Sequence, residues 1–355
     1  MTAPLQIAFD MTFPNRNPAG SGVYAMELVR ELQSRDDVAI TTIAAREGAG
    51  FAGTMRWLAL DAPKAAIGSQ LVHCPSFVAP WRLPVPYVLT VHDTSTIKFP
   101  GDHPLEWRGY TNFFLPERAR SAKYVITGTE HARGEIVRDL RVPAERVVVT
   151  PYGVSKRFVV PVTKRAAIAD PPVILFPGAP TKRKNLDVVL TAMVVAADQS
   201  ILRRARLAIS GASAARFPHH VERIKALGLT SRVEWLSKVP SEAMPGLIGN
   251  ADLVVYPSLH EGFGFPALEA MASGTPVLAS SAACLPEVLG DGAVLVSPTD
   301  VRAFIIAAEA LLSDVERRAA VTEKGRLRAA QFTWTRCADL TVDVYRKALS
   351  AVTQR

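Results

Sequence analysis

The chain has 355 residues, of which 48% are hydrophobic and 21% are charged. This length and composition predict a globular protein of two domains, and they exclude a disordered chain, a collagen-like repeat and a coiled coil. The formal net charge of +8 is unevenly placed: up to Ser155 there are 16 basic and 15 acidic residues, and from Lys156 onward there are 25 and 18. The positive second half favours an anionic ligand, and nucleic acid is disfavoured because no recognised reader motif is present.

The sequence predicts a cytoplasmic protein with reduced cysteines. The longest mainly apolar stretches, Val188–Ala197 and Phe304–Leu312, are shorter than the roughly 18–20 residues that cross a bilayer. The first residues lack a basic region, so no signal peptide is expected. Three widely spaced cysteines exclude a disulfide framework and a CxxC zinc site. His219 and His220 form the only close histidine pair, and we expect no metal there because adjacent side chains point apart on a regular element.

The first half of the chain alternates predicted strands with predicted helices. The apolar run Leu5–Met11 predicts a buried strand, and Val23–Ser34 predicts an amphipathic helix with Tyr24, Leu28 and Leu32 on one face. Further strands are predicted at Val38–Ala44, Leu71–Cys74, Tyr87–His92, Tyr124–Gly128 and Arg146–Thr150. This alternation is typical of α/β layers around a parallel sheet.

A second strand–helix series follows the segment Tyr152–Pro172, which has no clear periodicity and contains three prolines and four basic residues. This composition predicts a linker, so we expect an N-terminal domain of residues 1–158 and a C-terminal domain of residues 159–333. The second series of strands is predicted at Val173–Pro177, Arg206–Ser210, Val233–Leu236, Leu253–Pro257, Val277–Ala279 and Ala293–Val296. Ligands of such sheets bind beyond the carboxyl ends of the strands, so two facing halves would form a cleft.

The segment after the strand Leu253–Pro257 carries the clearest chemical signal. Gly262 and Gly264 let the backbone approach a ligand closely at the start of a helix, where N–H groups bind anions. Glu261 lies in the loop, and Glu269 is expected in the first turn of that helix. Carboxylates accept hydrogen bonds from vicinal diols, so a phosphate flanked by sugars, as in a nucleotide sugar, fits both features. The alternative is a capped strand–helix turn in which Glu269 only interacts with the helix dipole.

The segment Glu261-Gly-Phe-Gly-Phe-Pro-Ala-Leu-Glu269 resembles the E-x7-E signature of retaining glycosyltransferases of family 4, which have the GT-B fold. Five other segments match family motifs in order: Ala19–Tyr24, Thr90–Thr94, Val149–Val154, Pro177–Asn185 and Leu285–Ala293. The resemblance covers about residues 5 to 350. It implies an α/β fold of two Rossmann-like, doubly wound parallel-sheet domains facing each other across a cleft. The first would take the acceptor and the second the nucleotide sugar, with a last helix, 334–355, crossing back onto the first.

The resemblance also implies roles for single residues in the second domain. Glu261 would contact the donor sugar near the reacting carbon, and Glu269 would contact the ribose hydroxyls. The backbone of Gly262, Phe263 and Gly264 would hold the sugar and the diphosphate.

Two basic residues correspond to the cations that neutralise the diphosphate leaving group. Lys184 matches the family lysine, and Arg183 lies beside it as a helper. Many relatives have an arginine where this chain has Ala179, so Lys184 and Arg183 would carry the leaving-group charge alone. The alternative for Lys182–Lys184 is a solvated turn.

In the first domain, His92 follows an apolar strand and would approach the reacting face of the sugar. The alternative is that Asp93 or Thr94 caps the next helix and His92 only packs. Gly20 and Gly22 match a loop that closes over the donor phosphate, with Gly22 at a helix N-terminus. Their spacing also fits the dinucleotide pattern G-x-G-x-x-A, but some eight residues separate them from the preceding strand, whereas that pattern requires a tight turn.

No D-x-D sequence occurs in the chain, so neither a metal nor another cofactor is expected. The resemblance implies a retaining, metal-independent hexosyltransferase acting on a glycan or lipid-linked acceptor in bacterial polysaccharide or glycolipid biosynthesis. GDP-mannose is the first choice of donor. Two alternatives stay open: a nucleotide-sugar epimerase or hydrolase of the GT-B fold, and a non-catalytic sugar-nucleotide sensor.

A predicted helix over His103–Arg120 carries aromatic and basic residues, including Trp107, Tyr110, Phe113 and Phe114. Such a helix is able to make peripheral contact with the inner membrane leaflet, which would suit a lipid-linked acceptor. The alternative is that these aromatic residues belong to the core.

Overall fold

The computed structural model of the chain describes residues 3–16, 20–48, 50–103, 105–159 and 168–353. The chain divides into two compact units. Unit 1 is Met1–Gly153 together with Thr333–Arg355, and unit 2 is Val154–Phe332. The segment after Phe332 therefore belongs to the same unit as the first half of the chain.

Each unit is built on strands that the apolar runs of the sequence predict. Within the described residues the strands are β1 (Leu5–Asp10), β2 (Val38–Ile43), β3 (Leu71–Cys74), β4 (Tyr87–Thr90), β5 (Tyr124–Thr127), β6 (Val147–Val149), β7 (Val173–Pro177), β8 (Arg206–Ser210), β9 (Val233–Trp235), β10 (Leu253–Tyr256), β11 (Val277–Ser280) and β12 (Val294–Val296). All the predicted strands are thus present, with ends that differ from the prediction by at most two residues.

Helices alternate with these strands. Among the described residues they are α1 (Thr12–Arg16), α2 (Ser21–Gln33), α3 (Phe51–Arg56), α4 (Ala62–Ala65), α5 (Ser95–Lys98), α6 (Leu105–Phe113), α7 (Leu115–Ser121), α8 (Glu130–Leu140), α9 (Leu186–Val195), α10 (Ile201–Arg204), α11 (Pro218–Ala226), α12 (Met244–Asn250), α13 (Phe265–Ala272), α14 (Leu285–Leu289), α15 (Val301–Ser313), α16 (Val315–Ala329) and α17 (Trp334–Thr353). Across these residues, no helix has both the length and the apolar character required to span a membrane.

Short helical turns complete the connections. A π-helical turn, Trp57–Asp61, joins α3 to α4. The 3₁₀ turns are Pro100–Asp102, Ala144–Arg146, Lys156–Phe158, Lys182–Lys184, Ala214–Arg216 and Gly290–Gly292. The single helix predicted over His103–Arg120 is wrong, because the described part of this segment forms two helices, α6 and α7, that meet at Phe114.

The strands form two parallel sheets, as predicted. In unit 1 the order is β2-β1-β3-β4-β5-β6, and in unit 2 it is β12-β11-β10-β7-β8-β9. The four-residue strands β3, β4, β10 and β11 are buried along their whole length. Strands with helices on both faces have this pattern, and continuous apolar runs in the sequence are its signature.

The last helix, α17, packs on unit 1 through one apolar face. Ala338, Val342 and Tyr345 on this face are fully buried, at the spacing of an amphipathic helix. A buried polar chain adds to this contact: the Tyr345 hydroxyl lies 2.6 Å from Nδ1 of His73, and Nε2 of His73 lies 2.9 Å from the Thr90 hydroxyl. Both ring nitrogens thus have partners, and burial lowers the pKa of His73 to about 3, so it is a neutral imidazole in the core.

Gly153 allows the start of α17 to pass close to the chain. A Cβ atom at this position would lie 2.3 Å from the backbone nitrogen of Trp334 and 2.6 Å from its ring. Both distances are far below van der Waals contact, and the backbone nitrogen has no rotamer by which to move away. Only glycine fits here without a shift of the main chain.

We therefore predict that Gly153→Ala lowers the free energy of unfolding by about 1–3 kcal/mol, the usual cost of overpacking. Urea denaturation followed by circular dichroism measures this change. Gly134→Ala is the matched control, because it lies within α8 with no atom within 4 Å of the added Cβ. It is expected to leave stability unchanged or slightly higher, since alanine favours helix. Equal unfolding midpoints for Gly153→Ala and the wild type would contradict the close contact.

Candidate active site

Two loops of unit 2 meet at the carboxyl edge of its sheet, because β7 and β10 are adjacent parallel strands. One loop follows β7 and contains the turn Lys182–Lys184, and the other follows β10. The backbone N–H of Leu259 donates to the carbonyl of Arg183 at 2.8 Å. In return, the Arg183 guanidinium donates to the carbonyl of His260 at 2.8 Å. These bonds hold the two loops in a fixed register.

Asn185, directly after this turn, adds two side-chain hydrogen bonds. Its backbone is left-handed, with φ of 57°, a conformation that asparagine adopts more readily than most residues. Its side-chain amide donates to the carbonyls of Pro257 and Pro298, at 3.1 and 2.8 Å. The sequence analysis did not assign Asn185 a role. The available signal was an asparagine directly after a basic turn and directly before a helix.

The centre of the site is an ion cluster formed by Glu261, Arg183 and Lys184. The carboxylate lies 2.9 Å from Nη1 of Arg183 and 2.7 Å from Nζ of Lys184. The exposed fraction of these side chains is 9% for Glu261, 18% for Arg183 and 13% for Lys184. The solvated-turn alternative therefore describes only Lys182, which is exposed.

Tyr256, the last residue of β10, completes the cluster. Nζ of Lys184 donates to its hydroxyl at 2.7 Å and lies 4.5 Å from the centre of its ring. Burial, together with the nearby charge of Glu261, raises the pKa of Tyr256 well above its usual range. The phenol therefore stays neutral and adds no negative charge beside Lys184.

Glu261 is ionised in this environment. Burial alone would raise its pKa, but Arg183 and Lys184 outweigh that effect and lower the pKa to about 2. A carboxylate with this pKa accepts hydrogen bonds and cannot act as a general acid near neutral pH. The sequence analysis assigned Glu261 and the two cations to different parts of a substrate and did not predict that they pair with each other.

The loop after Glu261 runs through three residues assigned to ligand binding. Gly262 and Phe263 are buried, and the Phe263 ring packs edge-on against Phe332 with centroids 5.8 Å apart. Gly264 has a left-handed backbone with φ of 94°, and a Cβ there would lie 2.8 Å from the side chain of Leu285. Glycine is therefore required at the position that starts α13.

Glu269 lies in the second turn of α13 and not in the first, so this detail of the prediction was wrong. The helix begins at Phe265, which makes Glu269 its fifth residue, and the first turn holds no acidic side chain. The alternative in which Glu269 interacts with the helix dipole loses its basis, because that effect fades beyond the first turn. The side chain is partly exposed at this edge of unit 2.

His92 lies in unit 1, two residues beyond the end of β4. Its Nδ1 lies 2.8 Å from the hydroxyl of Tyr152, and its ring packs edge-on against Tyr24 and Phe77, with centroids 5.0 and 5.1 Å away. Burial lowers the pKa of His92 to about 4, against the opposite effect of Asp93. The imidazole is therefore neutral at pH 7.

Tyr152 is a partner of His92 that the sequence analysis did not identify. The only signal was a tyrosine in the motif Val149–Val154, next to the point where unit 1 ends. Beyond His92, the carboxylate of Asp93 accepts from the backbone N–H of Ser95 at 2.9 Å. Asp93 thus has the helix-starting role proposed for it, while His92 is both packed and hydrogen-bonded.

Gly20 and Gly22 lie at the N-terminus of α2, as predicted. Gly20 precedes the helix with φ of 51°, and Gly22 is buried in the first turn. Tyr24 of the same helix contacts the His92 ring, so unit 1 brings the start of α2 and His92 together. Ala19, the first residue of this motif, lies outside the described residues.

The prediction that His219 and His220 point apart was wrong. Their ring centroids are 4.0 Å apart, because both residues lie in the first turn of α11, where successive side chains are separated by only about 100° around the helix axis. His220 is buried, whereas His219 is exposed.

Comparison with known proteins identifies the family of the chain. Residues 18–158 match Glycosyltransferase Family 4, and residues 163–328 match Glycosyl transferases group 1. The chain is 32% identical over 283 residues to O-antigen chain mannosyltransferase B of Escherichia coli, which covers 78% of this chain and 74% of that protein. This chain belongs to glycosyltransferase family 4.

A second relative of this glycosyltransferase is the MMP alpha-(1->4)-mannosyltransferase of Mycolicibacterium hassiacum, 32% identical over 257 residues. That match covers 70% of this chain and 60% of the relative, less than two thirds of its length. Among solved structures, the sucrose-phosphate synthase of Thermosynechococcus elongatus superimposes with a TM-score of 0.81 at 21% identity, over 98% of this chain and all of that one. The predicted GT-B fold, with two Rossmann-like domains, is confirmed.

We predict that the glycosyltransferase loses stability as the pH falls from about 6.5 towards 4. Burial lowers the pKa of His73 to about 3 and that of His92 to about 4, whereas histidine in an unfolded chain titrates near 6.5. In this range the unfolded state binds more protons, so acid favours unfolding. Urea denaturation at pH 7 and pH 5 measures the effect.

His73→Gln should show a weaker dependence on pH than the wild type, because it removes one of the two buried neutral imidazoles. A pH dependence in His73→Gln equal to that of the wild type would contradict a neutral, buried His73.

Proposed function

We propose that this glycosyltransferase transfers a hexose, with retention of the anomeric configuration, from a nucleotide sugar to a glycan or lipid-linked acceptor of a bacterial polysaccharide or glycolipid. The observation that carries the proposal is the partly buried cation pair Arg183–Lys184, which is ion-paired with Glu261 at the glycine loop that leads into α13. Departure of a nucleoside diphosphate requires positive charge and preorganised N–H donors at one place. This edge of unit 2 offers both.

Each residue of the cluster has a role in this scheme. Lys184 and Arg183 compensate the charge that develops on the leaving diphosphate. The backbone N–H groups of Gly262, Phe263 and Gly264 bind the phosphates and the sugar, since a loop at a helix N-terminus favours anions.

The two glutamates of the motif bind hydroxyl groups. Glu261 accepts hydrogen bonds from the donor sugar, a role that its low pKa supports. Glu269, one turn into α13, accepts hydrogen bonds from the ribose. Neither residue is assigned as a covalent nucleophile, so the scheme differs from that of retaining glycosidases.

We propose that His92 acts as a neutral group at the reacting face of the sugar, and that Gly20 and Gly22 at the N-terminus of α2 belong to a loop that binds the donor phosphate. The leaving phosphate takes the proton of the attacking hydroxyl, so the reaction requires no base from the protein. We propose that it requires neither a metal nor another cofactor, because the two cations take the place of a divalent ion.

We also propose which sugar is transferred. The E. coli and Mycolicibacterium relatives are both mannosyltransferases by name, which supports mannose as the sugar. GDP-mannose is accordingly our first choice of donor.

We also propose peripheral contact of unit 1 with the inner membrane leaflet. Leu105 and Phe113 of α6 are 76% and 78% exposed, and Trp81 stacks on the half-exposed Phe114. Exposed aromatic and aliphatic side chains near one another suit a membrane interface. Tyr110, by contrast, accepts a hydrogen bond from the backbone of Ala79 and packs against the core. The side chain of Trp107 lies outside the described residues.

Lys184→Ala and Glu261→Ala should each lower turnover at least about a hundredfold, the scale of one lost transition-state contact. The assay is release of nucleoside diphosphate in the presence of donor and acceptor, with circular dichroism to confirm folding. Lys182→Ala is the matched control, because Lys182 belongs to the same turn and is exposed. It is expected to retain near wild-type turnover. Wild-type rates in both test variants would remove the proposed site.

The donor is identified by ligand-observed NMR with a panel of GDP- and UDP-sugars, followed by acceptor trials with the sugar that binds. We expect GDP-mannose to bind, the product to keep the anomeric configuration of the donor, and EDTA to leave the rate unchanged. Diphosphate release without acceptor would favour a hydrolase, conversion of the donor sugar an epimerase, and tight binding without turnover a sensor. Inversion of configuration, or loss of activity in EDTA, would contradict the proposed mechanism.

A further inference from the structure

The starting observation is that Glu261 engages both cations assigned to the diphosphate. Its two carboxylate oxygens lie 2.7 Å from Nζ of Lys184 and 2.9 Å from Nη1 of Arg183. Two positive charges and one negative charge leave the cluster with a single net positive charge. If a diphosphate bound here and the cluster did not change, it would lie beside the carboxylate of Glu261, which already pairs with the same two cations.

The carboxylate cannot avoid this conflict by becoming neutral. Arg183 and Lys184 hold the pKa of Glu261 at about 2 in spite of its burial, so it stays charged at neutral pH. Its loop is also fixed, because Leu259 and His260 are hydrogen-bonded to Arg183 at 2.8 Å. Binding of a diphosphate therefore requires an exchange, in which the cations turn partly from the carboxylate to the phosphates.

The intact donor and the nucleoside diphosphate product bring different groups to the cluster. The donor brings sugar hydroxyls, which donate hydrogen bonds to a carboxylate that has given up part of its ion pairing. The free nucleoside diphosphate brings no sugar. Its terminal phosphate is also no longer esterified, so it carries up to about one more negative charge near pH 7. Without Glu261, the two cations would strengthen binding of the product more than binding of the donor. The product would then dissociate slowly.

We propose, on the basis of the function proposed above, that Glu261 competes with the diphosphate for Arg183 and Lys184 and so weakens binding of the nucleoside diphosphate product once the sugar has left. While the sugar is present, its hydroxyls satisfy the carboxylate and the donor is retained. After transfer, the carboxylate recovers its two cations and the product is released. This is a product-release role for Glu261 in addition to its contact with the sugar.

Isothermal titration of GDP and of UDP into the wild type and Glu261→Gln tests this directly. Glutamine has nearly the shape of glutamate but no charge, so it loses the ion pairs with both cations and keeps only the weaker hydrogen bonds of a neutral acceptor. We expect the variant to bind the preferred nucleoside diphosphate at least about tenfold more tightly, since hydrogen bonds to charged groups are commonly strong enough for such a change.

Glu269→Gln is the matched control, because it removes the other carboxylate of the same motif without touching the ion cluster. It is expected to bind the nucleotide no more tightly than the wild type. If both variants bound more tightly to the same extent, general loss of negative charge would explain the result and the proposed exchange would be wrong.

Loss of one member of a buried ion pair destabilises a protein, so Glu261→Gln is also examined by its unfolding temperature with and without GDP or UDP. The nucleotide should raise this temperature more in the variant than in the wild type. Equal or weaker nucleotide binding by a folded Glu261→Gln would overturn the exchange and leave the proposed function standing. Absence of binding of either nucleotide to the wild type and to both variants would overturn the two together.

Discussion

The ion cluster of Glu261 with Arg183 and Lys184 determines what the carboxyl edge of unit 2 is able to bind. Three charged side chains with exposed fractions below one fifth are stabilised there by the ion pairs that Glu261 makes with both cations. The cluster keeps two cations preorganised at the start of α13, and it keeps a carboxylate ionised beside them. A diphosphate and sugar hydroxyls are the ligand groups that match these opposite charges.

The parallel sheet brings this cluster together from distant parts of the chain. β7 and β10 are neighbours in the sheet although about 80 residues separate them in sequence. Since parallel strands present all their carboxyl ends at one edge, the turn after β7 and the loop after β10 must meet there. The hydrogen bonds of Arg183 with Leu259 and His260 then hold the two loops within the reach of an ion pair.

Much of the fold could be predicted because buried parallel strands leave a continuous apolar run in the sequence. Leu71–Cys74, Val173–Pro177 and Arg206–Ser210 were predicted at the residues where the structure has β3, β7 and β8. Ends were less accurate where an apolar run continues into a loop: the run Tyr87–His92 extends two residues beyond β4. The break at Phe114 was missed although Pro116 marks it, because proline is favoured in the first turn of a helix and α7 begins at Leu115.

The pairings within the sites were beyond the reach of the sequence for a different reason. Motifs identified Glu261 and Lys184 singly, but their contact depends on strand order, which no local pattern encodes. The hydrogen bond between Tyr152 and His92 likewise joins residues 60 positions apart. Glu269 was assigned to the wrong turn because its place depends on where α13 begins, and that is set by the left-handed Gly264.

The most direct measurement is a crystal structure of the protein with the nucleoside diphosphate or nucleotide sugar that it binds. We expect the phosphates to contact Lys184, Arg183 and the backbone of Gly262–Gly264, and the ribose hydroxyls to contact Glu269. A nucleotide bound elsewhere on either unit, with the carboxylate of Glu261 still holding both cations, would contradict this expectation.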